Sequence, residues 1–514
     1  MEPNESLDPL RGALKSFFGL DYLFPYQRLV ISNILEAAEA QGFPIRWPSI
    51  DTASGDAPNG GTPSGEECDR EALGRQIVIL PTGAGKSLCF QLPAMLLPGP
   101  TLVLYPILSL MADQERRLRE NGFAPVLLRG GQTREERESI WESVSSGKSR
   151  FIIANPEVLL SPGVMEKLGG LGLLHLVIDE AHCVSEWGES FRPSYLRIGE
   201  IIEACGSEKE LPLVTAFTAT ASAAVLEKIE KYIFPAGEKP LRIIGNPDRS
   251  NISYSAWEAL LKDLAVRDFL ARNERPAIVF CSSRSGTEKL ARYLRNSFDD
   301  REIKFYHAGL SREEKTAVEK WFFPNTRAIL VATCAYGMGV DKPDIRTVIH
   351  RDCPPSVEAY LQESGRAGRD GKLSQAMLLF GQEDEKQFRR SGPAGKRLED
   401  LLAFARNRGS CRREELMRLL NYEGPMDSPG ENCCDVCRGI ISGGKPREEA
   451  AVLDFIRRNR RVYTVNEAAS LLGKAKNLNI SENEAAELLK ALLSLGKIRR
   501  SKSLLWRNRL TDIT

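Results

Sequence analysis

The sequence predicts an α/β protein: two consecutive parallel-sheet domains, a helical module carrying a cysteine cluster, and a small basic module at the C-terminal end. Two rhythms and the gap between them carry that prediction. From Gln76 the short apolar runs "QIVIL", "TLVLYP", "APVLLRG", "RFIIANP", "LHLVIDE" and "LVTAFTAT" alternate with helical stretches, the pattern of βαβ units around a buried parallel sheet. The rhythm lapses between Pro235 and Ser255, which reads as a linker. It restarts with "AIVFCSS", "IKFYHAG", "AILVATC", "TVIHRD" and "AMLLFG". A chain of 514 residues has room for several domains of about 150 residues.

The expected boundaries are 1–245, 246–385, 386–440 and 446–514. Residues 12–40 carry helical apolar spacing interrupted by "GLDYLFPYQ". The stretch 42–74 is rich in Gly, Pro, Ser and Asp without periodicity and is expected to be a flexible insertion in the first domain. Past residue 385 the strands stop. Near the end, "EEAAVLDFIRRN", "TVNEAASLLGKA" and "SENEAAELLKALLSLG" read as three helices and "KIRRSKSLLWRNRL" as a basic hairpin.

Composition is that of a soluble globular protein, with 42% hydrophobic and 27% charged residues. The start "MEPNESLDPL" is acidic and polar, unlike a signal or transit peptide, and no apolar run approaches the ~18 residues of a membrane span. The expected location is cytoplasmic, nucleoid-associated if the source is bacterial, with no membrane partner. The net charge of +1 hides a gradient: residues 446–514 hold 14 Lys/Arg against 8 Asp/Glu, a local +6. A basic module on a slightly acidic body suits a polyanion-binding appendage, although a solvated charged face has the same composition. Of 11 cysteines, seven are isolated, whereas Cys411, Cys433, Cys434 and Cys437 fall within 27 residues, which favours a metal over disulfides in an intracellular chain.

Three motifs carry chemistry. "VILPTGAGKSLCFQLP" sets a Gly-rich turn between a strand and a helix. Thr82, Gly83 and Gly85 lend backbone N–H groups to phosphates, Lys86 reaches the β- and γ-phosphates, and the Ser87 hydroxyl suits Mg²⁺. The turn departs from the strict phosphate-loop pattern at Leu80. In "LVIDEAH", Asp179 at a strand tip suits Mg²⁺ and Glu180 suits the attacking water. "QESGRAGRDG" offers Gln362, Arg366 and Arg369, spaced four and three apart as on one helical face, with Arg366 and Arg369 suited to the charge of a transferring phosphoryl group.

"PTGAGKS", "DEAH", "AFTATA" and "QESGRAGR", in this order, resemble a superfamily 2 nucleic-acid-dependent ATPase. "AHCVSEWGESFRPSY", "VLYPILSLMADQ", "FYHAGLSREEK", "VATCAYGMGVDKPDIRTVIH" and "SVEAYLQESGRAGRDG" narrow the resemblance to the RecQ family of DNA helicases, over about residues 15–440. The resemblance implies two RecA-like domains, a helical zinc-binding module, a short winged-helix-like C-terminal domain, and ATP, Mg²⁺ and Zn²⁺ as cofactors. It implies a DNA helicase moving 3′ to 5′ on single strands and acting on single-stranded and forked duplex DNA in repair or recombination. Single-stranded-DNA-binding or repair proteins are then candidate partners.

Site residues follow from the same resemblance. Gln27 is the adenine-reading amide, with Phe24 where the family usually has Arg. Trp187, Phe191 and Arg192 form the family's aromatic-rich loop, which stacks on bases. Thr218 and Thr220 link the two domains, while Arg284, His307 and the 333–339 segment line a DNA track. Cys411, Cys434 and Cys437 match the zinc ligands, but position 431, where a cysteine is usual, is Glu. The fourth ligand is Cys433 or Glu431, and a metal-free module is the remaining alternative. Lys497, Arg499, Arg500, Lys502, Arg507 and Arg509 are expected on DNA phosphates, and Trp506 on a terminal base pair or in a hydrophobic anchor. Two rival functions stand beside the helicase: a DNA-stimulated translocase that does not separate strands, and a binding protein with a decayed motor.

Overall fold

The structure, a computed structural model, describes residues 8–48, 74–81, 84–187, 192–206, 211–234, 239–336, 342–381, 384, 396–422, 424–426, 433–440, 447–475, 478 and 480–512. The chain divides into two compact units, Met1–Pro247 with Leu420–Pro425, and Asp248–Leu419 with Met426–Thr514. No described helix is long and apolar enough to cross a membrane.

The first unit is built on β1 (Arg75–Ile79), β2 (Thr101–Leu104), β3 (Val126–Leu127), β4 (Phe151–Ala154), β5 (His175–Ile178), β6 (Leu213–Thr218) and β7 (Leu241–Ile244). They run parallel in the order β3-β4-β2-β5-β6-β1-β7. Every residue of β1, β2, β4, β5 and β6 is buried, which explains their continuous apolar runs. Ile77, Leu102, Ile152, Leu176, Val214 and helix residues such as Ile201 and Ile229 form one core.

The second unit contains β8 (Ile252–Glu258), β9 (Ala277–Phe280), β10 (Ile303–Tyr306), β11 (Ile329–Ala332), β12 (Thr347–His350) and β13 (Ser374–Phe380). These are also all parallel, in the order β10-β11-β9-β12-β13-β8. The stretch expected to be a linker, Pro235–Ser255, is corrected here: it supplies β7 and the start of β8, an edge strand of each sheet. Edge strands need not be buried on both faces. In β7 only Ile243 is buried, whereas β8 is buried from Ile252 to Ala256 but sets serines between its apolar residues, so neither shows the unbroken apolar run of a central strand.

The C-terminal segment forms helices Arg447–Arg458, Val465–Lys474 and Glu482–Ser494, then β14 (Ile498–Arg500) antiparallel to β15 (Leu510–Asp512). Thr464 with Glu467, and Ser481 with Glu484, make reciprocal capping boxes that start the last two helices. Val452, Ile456, Leu472, Leu488, Leu492, Ile498 and Leu510 share a core with Leu264 of the helix Lys262–Leu270. Tyr293 donates to Glu484 Oε1 at 2.5 Å, and Arg267 lies 3.5 Å from the same oxygen, so this module is pinned to the second sheet domain by apolar and polar contacts.

A fully buried ion pair joins the first residue of the second unit to the helix Arg412–Leu419: the Arg413 guanidinium donates to Asp248, with neither side chain exposed. Removing one member of such a pair strands a charge in a medium that cannot solvate it. Arg413→Met should therefore lower the stability of the second unit by about 3–5 kcal/mol, read as an earlier urea-unfolding midpoint. Adding Asp248→Leu should recover part of the loss.

Candidate nucleotide and metal sites

The phosphate loop joins β1 to the helix Lys86–Leu96; Thr82 and Gly83 lie outside the described residues. Gly85 has φ 70°, and a Cβ there would sit 2.5 Å from Gln27 Nε2. Only glycine therefore allows both the left-handed turn and the close approach. Lys86 Nζ is buried with no hydrogen-bond partner among the described residues. A buried ammonium aimed from a helix N-terminus, beside a cradle that a side chain would fill, fits the phosphates of a nucleotide.

Gln27 is buried, and its amide is engaged with the chain itself. Nε2 donates to the carbonyls of Ala84 at 3.1 Å and Gly85 at 3.3 Å, and Oε1 accepts from Phe24 N at 3.0 Å. The Tyr26 hydroxyl also donates to Ala84 O, at 3.2 Å. In this structure the amide expected to read adenine thus holds the phosphate loop. Next to it, Phe24 stacks on Tyr26 with ring centroids 5.5 Å apart and the planes 4° from parallel, and Tyr22 meets Phe24 edge-on.

Asp179 and Glu180 follow β5. Glu180 has φ 51°, a left-handed conformation uncommon outside glycine and typical of strained functional positions. Burial first, and then the Glu180 carboxylate, push the Asp179 pKa up to about 6, opposed by the charge of Lys86. A divalent cation would relieve that repulsion, and Asp179 with Ser87 would hold it. The Thr218 hydroxyl, at the end of the neighbouring β6, donates to Thr220 O at 2.9 Å and so must accept from His182 Nδ1 at 3.1 Å. The same nitrogen lies 3.4 Å from Glu180 Oε2. His182, absent from the expected site residues, therefore connects Glu180 to Thr218 and Thr220. Its adjacency in "DEAH" was the available signal.

In the second unit the helix Val357–Ser364 carries Gln362 and then ends. Arg366 and Arg369 sit in the turns that follow, so the three residues do not share one helical face. Gly368, at φ 56°, breaks the helical path, and a Cβ there would approach Asn251 Nδ2 to 2.4 Å. Arg366 is buried and Arg369 half-buried. Two further residues anchor this region without having been expected. His350 Nε2 lies 2.9 Å from Glu363 Oε2, and Arg249 donates to the carbonyls of Gly365, Ala367 and Gly368.

The sulfurs of Cys411, Cys433, Cys434 and Cys437 all lie within 4.8 Å of one another. Tetrahedral Zn²⁺ with Zn–S bonds of about 2.3 Å needs sulfurs just under 4 Å apart, so this set fits a structural zinc site. Cys433 lies within this set, and Glu431 lies outside the described residues. Burial opposes ionisation of Cys434, yet its pKa is lowered because backbone N–H groups of Cys437, Arg412 and Val436 point at the sulfur. That favours the thiolate, the form a metal binds. Arg412 is bonded to Asp435, Asp435 Oδ2 accepts from Ala256 N of β8 at 3.1 Å, and Tyr254 N donates to Cys433 O at 3.3 Å. The cluster is thereby attached to the edge of the second sheet.

The expected DNA contacts fall on several different elements. Trp187 ends the short helix Cys183–Trp187, and Phe191 lies outside the described residues. Arg192 donates to Pro106 O and stands 3.7 Å from Glu157, so its charge is engaged within the first unit. Arg284 opens the helix Arg284–Phe298 and is exposed; His307 is buried against Phe305 and lies 3.0 Å from Glu288 Oε1. Of the 333–339 segment, 337–339 lie outside the described residues. At the hairpin, Leu505 and Trp506 are exposed.

Comparison with known proteins agrees with this architecture. Residues 66–229 match the DEAD/DEAH box helicase family, and residues 258–371 match the helicase conserved C-terminal domain. Among solved structures, the DNA-bound helicase MrfA aligns with a TM-score of 0.54 at 18% identity, covering 99% of this chain and 63% of that one. Mss116p bound to single-stranded RNA and AMP-PNP aligns with a TM-score of 0.54 at 17% identity, covering 95% and 94%; both likenesses concern the fold. The ATP-dependent DNA helicase RecQ of Pasteurella multocida is 32% identical over 452 residues, 84% of this chain and 68% of the relative. RecQ of Bacillus subtilis is 31% identical over 426 residues, 81% of this chain and 71% of the relative. Sequence identity at this level across most of both chains, with the nucleotide loop and paired strand-end carboxylates in place, means that the chain belongs to the RecQ family of ATP-dependent DNA helicases.

Proposed function

We propose that this protein separates duplex DNA by moving 3′ to 5′ along one strand, with each ATP hydrolysed at the first unit's phosphate loop. The polarity rests on family membership. The observation that carries the nucleotide chemistry is the buried Lys86 ammonium, without a hydrogen-bond partner among the described residues, beside the Gly85 cradle.

In this reading Gly85 and Lys86 bind the phosphates, and Ser87 and Asp179 orient the Mg²⁺ that ATP brings. Glu180, steadied by His182, receives a proton from the attacking water. Arg366 and Arg369 supply positive charge to the phosphoryl group in transit, and Gln362 contacts the nucleotide. Trp187, Phe191 and Arg192, a few residues beyond Glu180, stack on single-stranded DNA and make hydrolysis depend on it. Arg284, His307 and the 333–339 segment follow the strand, and Thr218 with Thr220 relay between nucleotide and DNA.

The four cysteines hold one structural Zn²⁺, and the C-terminal module acts as a winged helix. Its basic hairpin, with Lys497, Arg499, Arg500, Lys502, Arg507 and Arg509, grips the duplex backbone while exposed Trp506 meets the terminal base pair. Binding proteins of repair or of single-stranded DNA are the partners this activity calls for. Unwinding of a forked duplex, assayed beside phosphate release, tests the central claim; robust hydrolysis without strand separation would establish the translocase instead.

Lys86→Ala should lower ATP turnover by about a hundredfold or more while leaving DNA affinity nearly unchanged, measured by phosphate release and fluorescence anisotropy. Trp187→Ala should depress DNA-stimulated hydrolysis more than basal hydrolysis; equal loss of both rates would remove its coupling role. Metal analysis of purified protein should find one zinc per chain, and Cys434→Ser should abolish it.

A further inference from the structure

The short segment Asp248–Asn251, where the chain enters the second unit, grips the loop that carries Arg366 and Arg369. The carbonyls at the end of the helix Val357–Ser364 are met locally, Leu361 O by Gly365 N, Glu363 O by Arg366 N and Ser364 O by Ala367 N, but the loop carbonyls beyond them take side-chain donors from elsewhere. Arg249 provides such donors from over a hundred residues away in sequence. Its Nη1 donates to Gly365 O at 3.2 Å, and its Nη2 to Ala367 O at 3.2 Å and Gly368 O at 2.8 Å. Asn251 Nδ2 donates to Gly368 O at 2.7 Å and Lys372 O at 2.9 Å. Four loop carbonyls are therefore held by two side chains of one segment.

The segment is fixed in turn. Asp248 is bonded to fully buried Arg413, whose Nη1 also donates to Ser250 O at 3.3 Å. Asn251 O accepts from Ser374 N at 2.9 Å. A cation at a helix C-terminus is electrostatically favoured, and a planar guanidinium can serve several carbonyls at once where an ammonium cannot. Burial, with a smaller contribution from the charge of Arg369, lowers the Arg249 pKa, and three loop carbonyls accept from its guanidinium.

We infer that Arg249 and Asn251 are positioning residues for ATP hydrolysis: they set the conformation of the Gly365–Lys372 loop so that Arg366 and Arg369 meet the transferring phosphoryl group. This rests on the role proposed above for those two arginines. A mispositioned charge weakens transition-state binding more than ground-state binding, so the effect should fall on kcat and spare KM.

The test uses the full chain with single-stranded DNA. Arg249→Ala should lower kcat by about tenfold or more, with KM for ATP and the affinity for ADP within about threefold of the parent. Affinity for ADP with aluminium fluoride, a mimic of the phosphoryl group in transit, should fall in step with kcat. Arg249→Lys should not rescue it, and the loss of kcat from Arg249→Ala should be smaller in an Arg369→Ala background than in the parent. Asn251→Ala, which removes two bonds at the loop's edge, should move the same quantities less far, and it serves where Arg249→Ala does not fold. If Arg369→Ala loses activity while Arg249→Ala and Asn251→Ala keep both kcat and aluminium-fluoride affinity, the inference is overturned. Loss of ADP affinity in parallel with kcat would overturn it as well. Full kcat in both Arg366→Ala and Arg369→Ala would overturn the reading beneath it, and this inference with it.

Discussion

The central strands of both sheets lie between parallel neighbours with their side chains covered on both faces, so only the strand ends remain available for chemistry. The candidate nucleotide site of the first unit obeys that constraint. The phosphate loop leaves the end of β1, Asp179 and Glu180 leave the end of β5, and the Thr218–Thr220 turn leaves the end of β6. Because β5, β6 and β1 are consecutive in the sheet, these three loops emerge side by side. His182 then bonds across two of them.

The second unit solves a different problem. Its arginine-bearing loop lies beyond a helix end, and side chains from outside the loop donate to the loop's own carbonyls. Arg249 and Asn251 come from the segment that precedes β8, and Arg346 grips Asp370 through two bonds of 2.6 Å. Behind them stands the Asp248–Arg413 pair, whose arginine lies two residues after Cys411. The cysteine cluster is attached to the same β8 edge through Asp435 and Cys433. Metal site, edge strand and arginine loop thus form one continuous set of polar contacts within this unit.

Charge is distributed with similar economy in the C-terminal module. The helix Glu482–Ser494 carries acidic residues in its first turn, and Glu484 there is used to dock on Tyr293 and Arg267. Basic residues gather instead on the hairpin. The face turned to the second sheet domain and the proposed DNA-binding element are therefore different parts of the module.

The sequence alone determined the features with local periodicity or fixed spacing. The central strands, the phosphate loop, the strand-end carboxylates and the three C-terminal helices are set by residues close to one another in the chain, because backbone geometry makes such patterns repeat, and the four cysteines fall within 27 residues. Tertiary structure decided what depends on partners distant in the chain. It placed the supposed linker as β7 and β8, turned Gln27 toward the phosphate loop, and moved Arg366 and Arg369 off the helix of Gln362. It also brought Arg249 to carbonyls more than 110 residues away. An edge strand needs no continuous apolar run, and a long-range hydrogen bond leaves no period in the sequence; both are fixed only when the sheets have formed and buried polar groups must find their partners.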